Sequence, residues 1–526
     1  MHLRDGLCFT VRVRFWRAAK QHSFPALGLS TSSQSPTWRL SDDRMDPQDH
    51  HFSTKAATLP TDSAVGCPAT DIGGDEAIPY PILSANACES SQFSPSKFVR
   101  PFRMVFVALI VRIAVSAAMV PEFLDSFRNH WHFGWEMGQI ARSICQGRGF
   151  SSPFFDPSGP TAMLPPAYPY LIAGCMKLFG SFTVASAMAI LALNSIFASL
   201  TVLPIYFLAR RVLDERVAVI AGWTWVFFPY SIYLSGGRIY SDALTCLIAT
   251  LLWLQTLRLR DSRGTANWLL WGALWGLAGL VSPALLGPLP FLAIWLCVQR
   301  RKAKLAWLLP GLLAASAFMA MTAPWTVRNY QIFHRVIPLR DGFWMEVHVG
   351  YNGDTSDVTP DSAHPTTSQA EYAQWQRLGE IGYMDAKKTE ALAFITQHPR
   401  FAVWMTARHF VNTWTGFWSL EPNFLAKEPF HIPNIFLTTA ITLLLLGGLR
   451  VAWSEEKGQD VFPLVLILVT YPLVYYVTHS SMDYRHPLDP IIVIMGSYCV
   501  LEWRRRLATK AAQRDALAVG KTRPTP

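Results

Sequence analysis

The stretch TVASAMAILALNSIFASLTVLPIYFLARR, residues 183–211, decides the fold. From Val184 to Ala209 it holds no Asp, Glu, Lys or Arg, and it then closes on Arg210 and Arg211. A helix crossing ~30 Å of hydrocarbon needs about 20 mostly apolar residues. An apolar run of that length, followed at once by paired arginines, reads as a membrane span with a cytoplasmic end.

Working outward, comparable runs cover 104–120, 216–234, 240–257, 267–282, 284–299, 305–325, 432–449, 461–478 and 487–503. The chain is therefore expected to be an all-α polytopic membrane protein with about ten transmembrane helices. Every second junction is basic. Lys97, Arg100 and Arg103 precede the first run, and Arg210, Arg211 and Arg216 follow the second. Arg258, Arg260 and Arg263 follow the fourth, and Arg300, Arg301, Lys302 and Lys304 the sixth. Arg450 and Lys457 follow the eighth, and Arg504, Arg505 and Arg506 the tenth. The alternate short loops hold only Arg238 and Arg485. One alternation fits all of this and places both termini in the cytoplasm.

Composition agrees. The 526 residues are 51% hydrophobic and 16% charged, where a soluble domain carries about 25% charged residues. The net charge of +10 is dispersed in short clusters between apolar runs, which fits membrane topology and gives nucleic acid no continuous basic stripe. Eight cysteines without CxxC spacing imply neither a disulfide framework nor a cysteine zinc site. Residues 1–95 are rich in Ser, Thr, Pro, Asp and His without hydrophobic periodicity, a composition that favours disorder.

The remaining organisation follows from the alternation. Residues 98–325 form a core of seven spans, with a long outer loop at 121–182. Residues 326–431 form a small outer-side domain, 432–503 the last three spans, and 504–526 a basic cytoplasmic tail. In the first loop, Trp135–Cys145 and Leu164–Phe179 read as interfacial helices, rich in aromatic residues. In the second, Ala370–Gln397 and Phe401–Trp418 are helix-compatible, the latter amphipathic with tryptophans.

Polar groups gather at the outer ends of the spans. Intramembrane or interfacial charges are disfavoured and mark functional candidates. Glu136 stands in WHFGWEMGQIARSI, either as a working carboxylate or as a solvated loop acid. Asp242 opens the fourth span in GGRIYSDAL, where simple helix capping is the competing role. Arg485 and His486 lie in MDYRHPLDP, and Arg328 in PWTVRNY. An interfacial Arg is suited to bidentate capture of a phosphate, or else it snorkels. His334, His348, His364 and His409 could ligate a divalent metal with a carboxylate, but no HExxH spacing supports that over solvated histidines. No P-loop, GxSxG or dinucleotide fingerprint is present, so no nucleotide cofactor is expected.

Several motifs together resemble the GT-C membrane glycosyltransferases, in the branch of protein mannosyltransferases and aminoarabinose transferases known as glycosyltransferase family 39. EMGQIARSICQGRGF is similar to that family's acid followed by an IA-x-S-x-x-x-G-x-G-F run. LPPAYPYLIAGCMKLFG resembles its interfacial segment, ALNSIFASLTVLPIYFLARRV its second span, and PWTVRNY and YRHPLDP its later outer-loop signatures. The resemblance implies a GT-C-like bundle. It also implies a transferase that takes a sugar from a polyprenyl-phosphate donor at the outer leaflet and passes it to a lipid, glycan or protein acceptor. Carried over, Glu136 becomes the first acid, Asp242 the second, and Arg485, with Arg328 and His486, the donor-phosphate group. With IAR as register the family's usual Asp falls at Phe133, and Glu136 lies three residues later, nearly one helical turn on the same face. Asp125 and Asp156 are the fallback acids of that loop. The resemblance implies a bacterial inner-membrane enzyme, with a divalent metal as an optional cofactor. Two other readings stay open: a secondary transporter or flippase, which would place polar groups near the midplane of internal repeats, and a family member that has lost catalysis and serves as a scaffold.

Overall fold

The structure is a computed structural model that describes residues 95–120, 133–154, 157–355, 361–416, 431–481 and 483–521. Apart from Pro95, the N-terminal region 1–95 lies outside the described residues, as do Asp125 and Asp156. Among the described residues the regular structure is helical, with one isolated bridge between Ser151 and Pro160.

The first expected run is α1 (Pro95–Ala118), and α2 (Glu136–Cys145) and α3 (Ala167–Phe179) are helices of the first long loop. The second run is α4 (Val184–Leu200) continued by α5 (Val202–Val212). Thr183 and Ser186 form a capping box at its start, which satisfies two N–H groups that the helix itself cannot. The third run is α6 (Glu215–Val226) plus α7 (Pro229–Gly236), bent by 47° at the break. Pro229 causes the bend: it has no N–H, and it drives the preceding Phe228 to extended backbone at ψ 111°. Then come α8 (Asp242–Asp261), α9 (Ala266–Val281), a 3-10 turn at Pro283–Leu286, α10 (Leu289–Lys302) and α11 (Leu308–Phe333). The outer-side segment holds α12 (Phe343–Gly350), α13 (Gln369–Gln397) and α14 (Pro399–Thr415). The chain returns through α15 (His431–Ser454), α16 (Gly458–Thr470), α17 (Leu473–Val477), a 3-10 turn at Asp483–Leu488, and α18 (Asp489–Lys521).

All ten expected runs are helical, yet among the described residues only seven helices are long and apolar enough to cross a membrane, or eight with the bent pair. The expected count of about ten agrees roughly with this, and the difference falls at two places. Helix α9 has 16 residues, about 24 Å at 1.5 Å per residue and short of the hydrocarbon thickness. Helix α18 begins only at Asp489, because 483–488 form a charged 3-10 turn, and it soon runs into Arg504, Arg505 and Arg506. The protein is nonetheless an integral, multi-pass membrane protein.

Packing positions the site. In its apolar stretch, α8 is 83% buried against 22% for α11, so α8 lies inside the bundle while α11 offers most of its surface to lipid. Helices α9 and α11 cross where Gly272 leaves no room for a Cβ against the Ala314 carbonyl, a close approach of backbones usual between membrane helices. The segment 326–416 has a small cluster of its own, Val347, Tyr351, Ala391, Ala402 and Met405, and shares a larger one with the first long loop. Phe133, Met137, Phe154 and Tyr168 of the first loop share one buried cluster with Trp325 of α11 and with Trp375 and Tyr383 of α13. Burying these large rings in common locks the two outer loops against each other. Helix α12 was missed in the sequence, and α13 carries a kink at Gly379, where φ is 68°.

Candidate functional site

Asp242 is the first residue of α8 and is only 8% exposed. It does not cap the helix. The N-cap position belongs to Ser241, whose side chain makes no capping bond, and Asp242 Oδ2 is buried without a hydrogen-bond partner. The segment leading to it is pinned from α4: the Asn194 side-chain amide donates to the carbonyls of Arg238 (3.2 Å) and Tyr240 (3.3 Å). Tyr168 of α3 in turn donates to Asn194 Oδ1 at 3.0 Å, fixing which way the amide faces.

Glu136 opens α2 after a turn in which Gly134 and Trp135 both take positive φ, 84° and 55°. Trp135 in that region is strained, as backbone at functional sites often is. The Glu136 carboxylate accepts a hydrogen bond from the Thr366 hydroxyl. His364 Nδ1 lies 3.9 Å from the same oxygen, but that nitrogen accepts the Thr366 N–H at 3.1 Å, so its lone pair is engaged and it donates nothing to Glu136.

Tyr240 lies within electrostatic range of both acids. Burial first, then the negative charges of Glu136, Asp242 and Glu346, push its phenol up against the opposing pull of Arg238. The Arg238 guanidinium lies over the Tyr240 ring at 4.8 Å and is ion-paired with Asp483, which also accepts from Tyr230 at 2.9 Å. On the other flank Arg340 donates to Glu346 at 2.7 Å, His479 Nδ1 stands 3.5 Å from Glu346, and Tyr484 Oη meets His479 Nε2 at 3.0 Å. Burial alone would raise the Glu346 carboxyl, but Arg340 and His479 outweigh it and hold the group below its ordinary range. The His479 imidazole is lowered, chiefly by burial. The result is a continuous polar centre at the N-terminal end of α8.

Arg485, His486 and Arg328 stand beside this centre rather than in it. Arg485 Nε is 3.3 Å from Asp489, and its Nη1 reaches the Thr442 hydroxyl at 3.4 Å. It lines a small cavity with Tyr230, Asn412, Thr413 and Thr438. His486 bonds the same Asp489 at 2.9 Å and stacks on Trp225, ring centres 5.6 Å apart. Arg328 donates to the carbonyls of Phe150 and Thr161, each at 2.7 Å, and packs on Trp325, 4.8 Å from its ring centre. It clamps the first outer loop. Sequence reasoning missed Arg340, Glu346, His479 and Asp483 and used Arg238 only as a topology marker. Arg238 carried a usable signal, being the single basic residue in its outer junction.

For the optional metal, no three His, Cys, Asp or Glu side chains converge on one point among the described residues. His334 ends α11, His348 Nδ1 faces Glu390 at 3.8 Å, and His409 meets the Tyr476 carbonyl at 3.2 Å, so these histidines serve separate places.

A second stitch holds the loops. Asp341 N–H donates to the Ala162 carbonyl at 3.1 Å, Ala162 N–H donates to Glu380 at 2.5 Å, and the Asp341 and Glu380 carboxyls are near enough to act on each other's charge. Burial, then each other's charge, raises Glu380 well above its ordinary value, and burial raises Asp341. Two neighbouring carboxyls away from water do not both ionise readily, so the pair retains a proton. Because the folded protein holds this proton more tightly than the unfolded chain, its stabilising effect is complete below the unfolded carboxyl range, about pH 4, and is lost as pH rises through the raised value. Thermal unfolding in detergent between pH 5 and 9 should therefore fall with pH in the wild type. In Glu380→Gln, which keeps the Ala162 bond and donates to Asp341 without a proton to lose, the curve should be flatter. Parallel curves would exclude the retained proton.

A polytopic helical membrane protein whose carboxylates and arginines gather at one end of an enclosed span is the class defined by this fold and site. The chain resembles the GT-C membrane glycosyltransferases of family 39, and residues 164–327 match the sequence profile of the family described as dolichyl-phosphate-mannose-protein mannosyltransferase. No curated protein matches the chain in sequence. Among solved structures it is similar to the Archaeoglobus fulgidus oligosaccharyltransferase in complex with Zn and sulfate, at 14% identity over 79% of this chain and 51% of that one, TM-score 0.43. It is also similar to ArnT from Cupriavidus metallidurans bound to undecaprenyl phosphate, at 14% identity over 77% of this chain and 78% of that one, TM-score 0.33. The chain spans about half the length of the oligosaccharyltransferase.

Proposed function

We propose that the protein is a glycosyltransferase that moves a sugar from a polyprenyl-phosphate-linked donor to an envelope lipid, glycan or protein acceptor, at the outer face of a bacterial inner membrane with both termini cytoplasmic. The observation that carries the reading is the gathering of charge around the half-buried Tyr240: Glu136 and Asp242, from separate parts of the chain, both act on its phenol, and the Arg238 guanidinium lies 4.8 Å over its ring. In this reading Glu136 accepts the proton of the acceptor nucleophile, a step worth about 10²–10⁴-fold. Asp242, whose Oδ2 has no hydrogen-bond partner, orients the nucleophile. As the bond from the anomeric carbon to the phosphate breaks, negative charge grows on the departing phosphate, and arginines held nearby offset it without reorganising. A phosphate leaving group needs little protonation, so one base and a cationic flank suffice. The donor's lipid tail stays in the bilayer, which accounts for a site at the end of a span.

Arg485, supported by His486, is assigned to the donor phosphate, with Arg328 behind them holding the first loop. The test is label transfer from a radiolabelled polyprenyl-phosphate sugar pool by membranes containing the protein. Arg485→Lys removes the planar fork that suits phosphate, and the KM for donor is expected to rise about tenfold, the effect of one charge-assisted hydrogen bond, with the acceptor KM unchanged. A rise in acceptor KM alone would remove Arg485 from the donor side. Movement of a soluble solute into sealed vesicles with no covalent product would replace the enzyme reading by a transporter.

A further inference from the structure

Thr366 belongs to the second outer loop, yet its hydroxyl donates to the carboxylate of Glu136 in the first. The contact is enclosed: Thr366 is 8% exposed, and the Glu136 side chain 13%. The turn that carries it is rigidly built. Thr366 N–H donates to His364 Nδ1 at 3.1 Å, and the N–H groups of Thr367 and Ser368 donate to the His364 carbonyl at 3.0 and 2.9 Å. Ser368 then caps α13, accepting from Glu371 N–H at 3.4 Å, while the His364 ring meets the edge of Phe154, 6.2 Å between centres. Thr366 is thus held over Glu136 by a helix N-terminus on one side and by the aromatic core of the first loop on the other.

Resting on the function proposed above, we infer that Thr366 is a built-in stand-in for the acceptor: its hydroxyl occupies the place on Glu136 that an acceptor hydroxyl must take, and transfer begins only once it is displaced. The chemistry is matched. In transfer, the acceptor O–H donates to Glu136, its oxygen bonds to the anomeric carbon, and the bond from that carbon to the phosphate oxygen breaks. The proton stays on Glu136 and polyprenyl phosphate leaves. Thr366 makes the first of these contacts and, held in its turn, goes no further. The stand-in also keeps the carboxylate satisfied and dry between turnovers, where water would otherwise compete as nucleophile. Asp242 Oδ2, by contrast, has no partner, so the second acid is left open to the incoming group.

The experiment uses the full chain in nanodiscs, a labelled polyprenyl-phosphate sugar pool as donor and methanol as the hydroxyl probe. Thr366→Val, which keeps the shape and removes the competitor, is expected to lower the KM for methanol about tenfold, the effect of losing one charge-assisted hydrogen bond, with kcat unchanged. Thr366→Ser keeps the hydroxyl, should behave as the wild type and controls for folding. A Thr366→Val protein whose methanol KM is unchanged, or whose kcat falls, overturns the inference and makes Thr366 a support that orients Glu136. If the wild type transfers sugar to nothing, the functional reading fails by itself. Carbodiimide labelling of Glu136 then decides the occlusion: faster labelling in Thr366→Val sustains it, and equal labelling ends it.

Discussion

Glu136→Gln is expected to lower kcat for sugar transfer by about 10²–10⁴-fold while leaving the folded protein intact. Glutamine keeps an oxygen for the Thr366 hydroxyl, so the contact between the two outer loops survives, and the shared aromatic cluster around Phe133, Phe154 and Trp375 is untouched. What disappears is the basicity, and with it the proton acceptor for the attacking hydroxyl. That loss corresponds to roughly 3–5 kcal/mol of barrier. Asp242→Asn, at the other acid beside Tyr240, should have a smaller effect on kcat, because orienting a nucleophile is worth less than accepting its proton. The check is initial-rate label transfer at saturating donor and acceptor, with size-exclusion profiles to confirm folding. A Glu136→Gln protein within threefold of wild type would show that the base lies elsewhere.

The spans were legible because an apolar run long enough to cross hydrocarbon is rarely anything but a span, and because arginines collect on one side of each. Their number was harder to read. Helix α9 is as apolar as its neighbours but stops at Ser282, and the run after 483 loses its first turn to buried charges, which no hydropathy pattern announces. Helix α12 escaped because FWMEVHVG mixes apolar and ionisable residues at no clear period. The site divides in the same way. Glu136 and Asp242 could be singled out as acids beside spans, and both act electrostatically on Tyr240. Their partners could not, since Arg238 finds Asp483 across 245 positions of sequence and Arg340 finds Glu346 only through the turn into α12. Arg328 was singled out by its place at a span end, and its grip on the Phe150 and Thr161 carbonyls is a contact no local pattern shows. Local pattern reveals which residues are unusual. Only the fold reveals which of them meet.

The second large effect concerns a residue no motif marked, Arg112, standing in the apolar run VFVALIVRIAV and fully buried. A charge inside a span calls for a partner, and here the partners are three backbone carbonyls and one serine hydroxyl. Arg112 Nη2 donates to the Trp225 carbonyl at 3.1 Å and the Ser231 hydroxyl at 3.1 Å, and Nη1 to the carbonyls of Val226 at 3.2 Å and Ala108 at 3.3 Å. Two of these carbonyls end α6, where Trp225 keeps only the tighter bond from the Phe228 N–H at 3.2 Å. In an unbroken helix Trp225 would be served by the N–H of residue 229, and that residue is proline. The guanidinium fork therefore takes over the end of α6 and makes the 47° bend tolerable inside the bundle. Arg112→Leu leaves those carbonyls in an apolar interior, which should lower unfolding free energy by roughly 2–5 kcal/mol. Arg112→Lys keeps the charge but lacks the fork and should recover only part of it. Equilibrium unfolding in mixed micelles with rising dodecyl sulfate measures the difference. Because Trp225 also stacks on His486, the same variants should loosen the turn that carries Arg485, and donor KM should rise in step with the loss of stability. An Arg112→Leu protein as stable as wild type would mean that the bend holds itself.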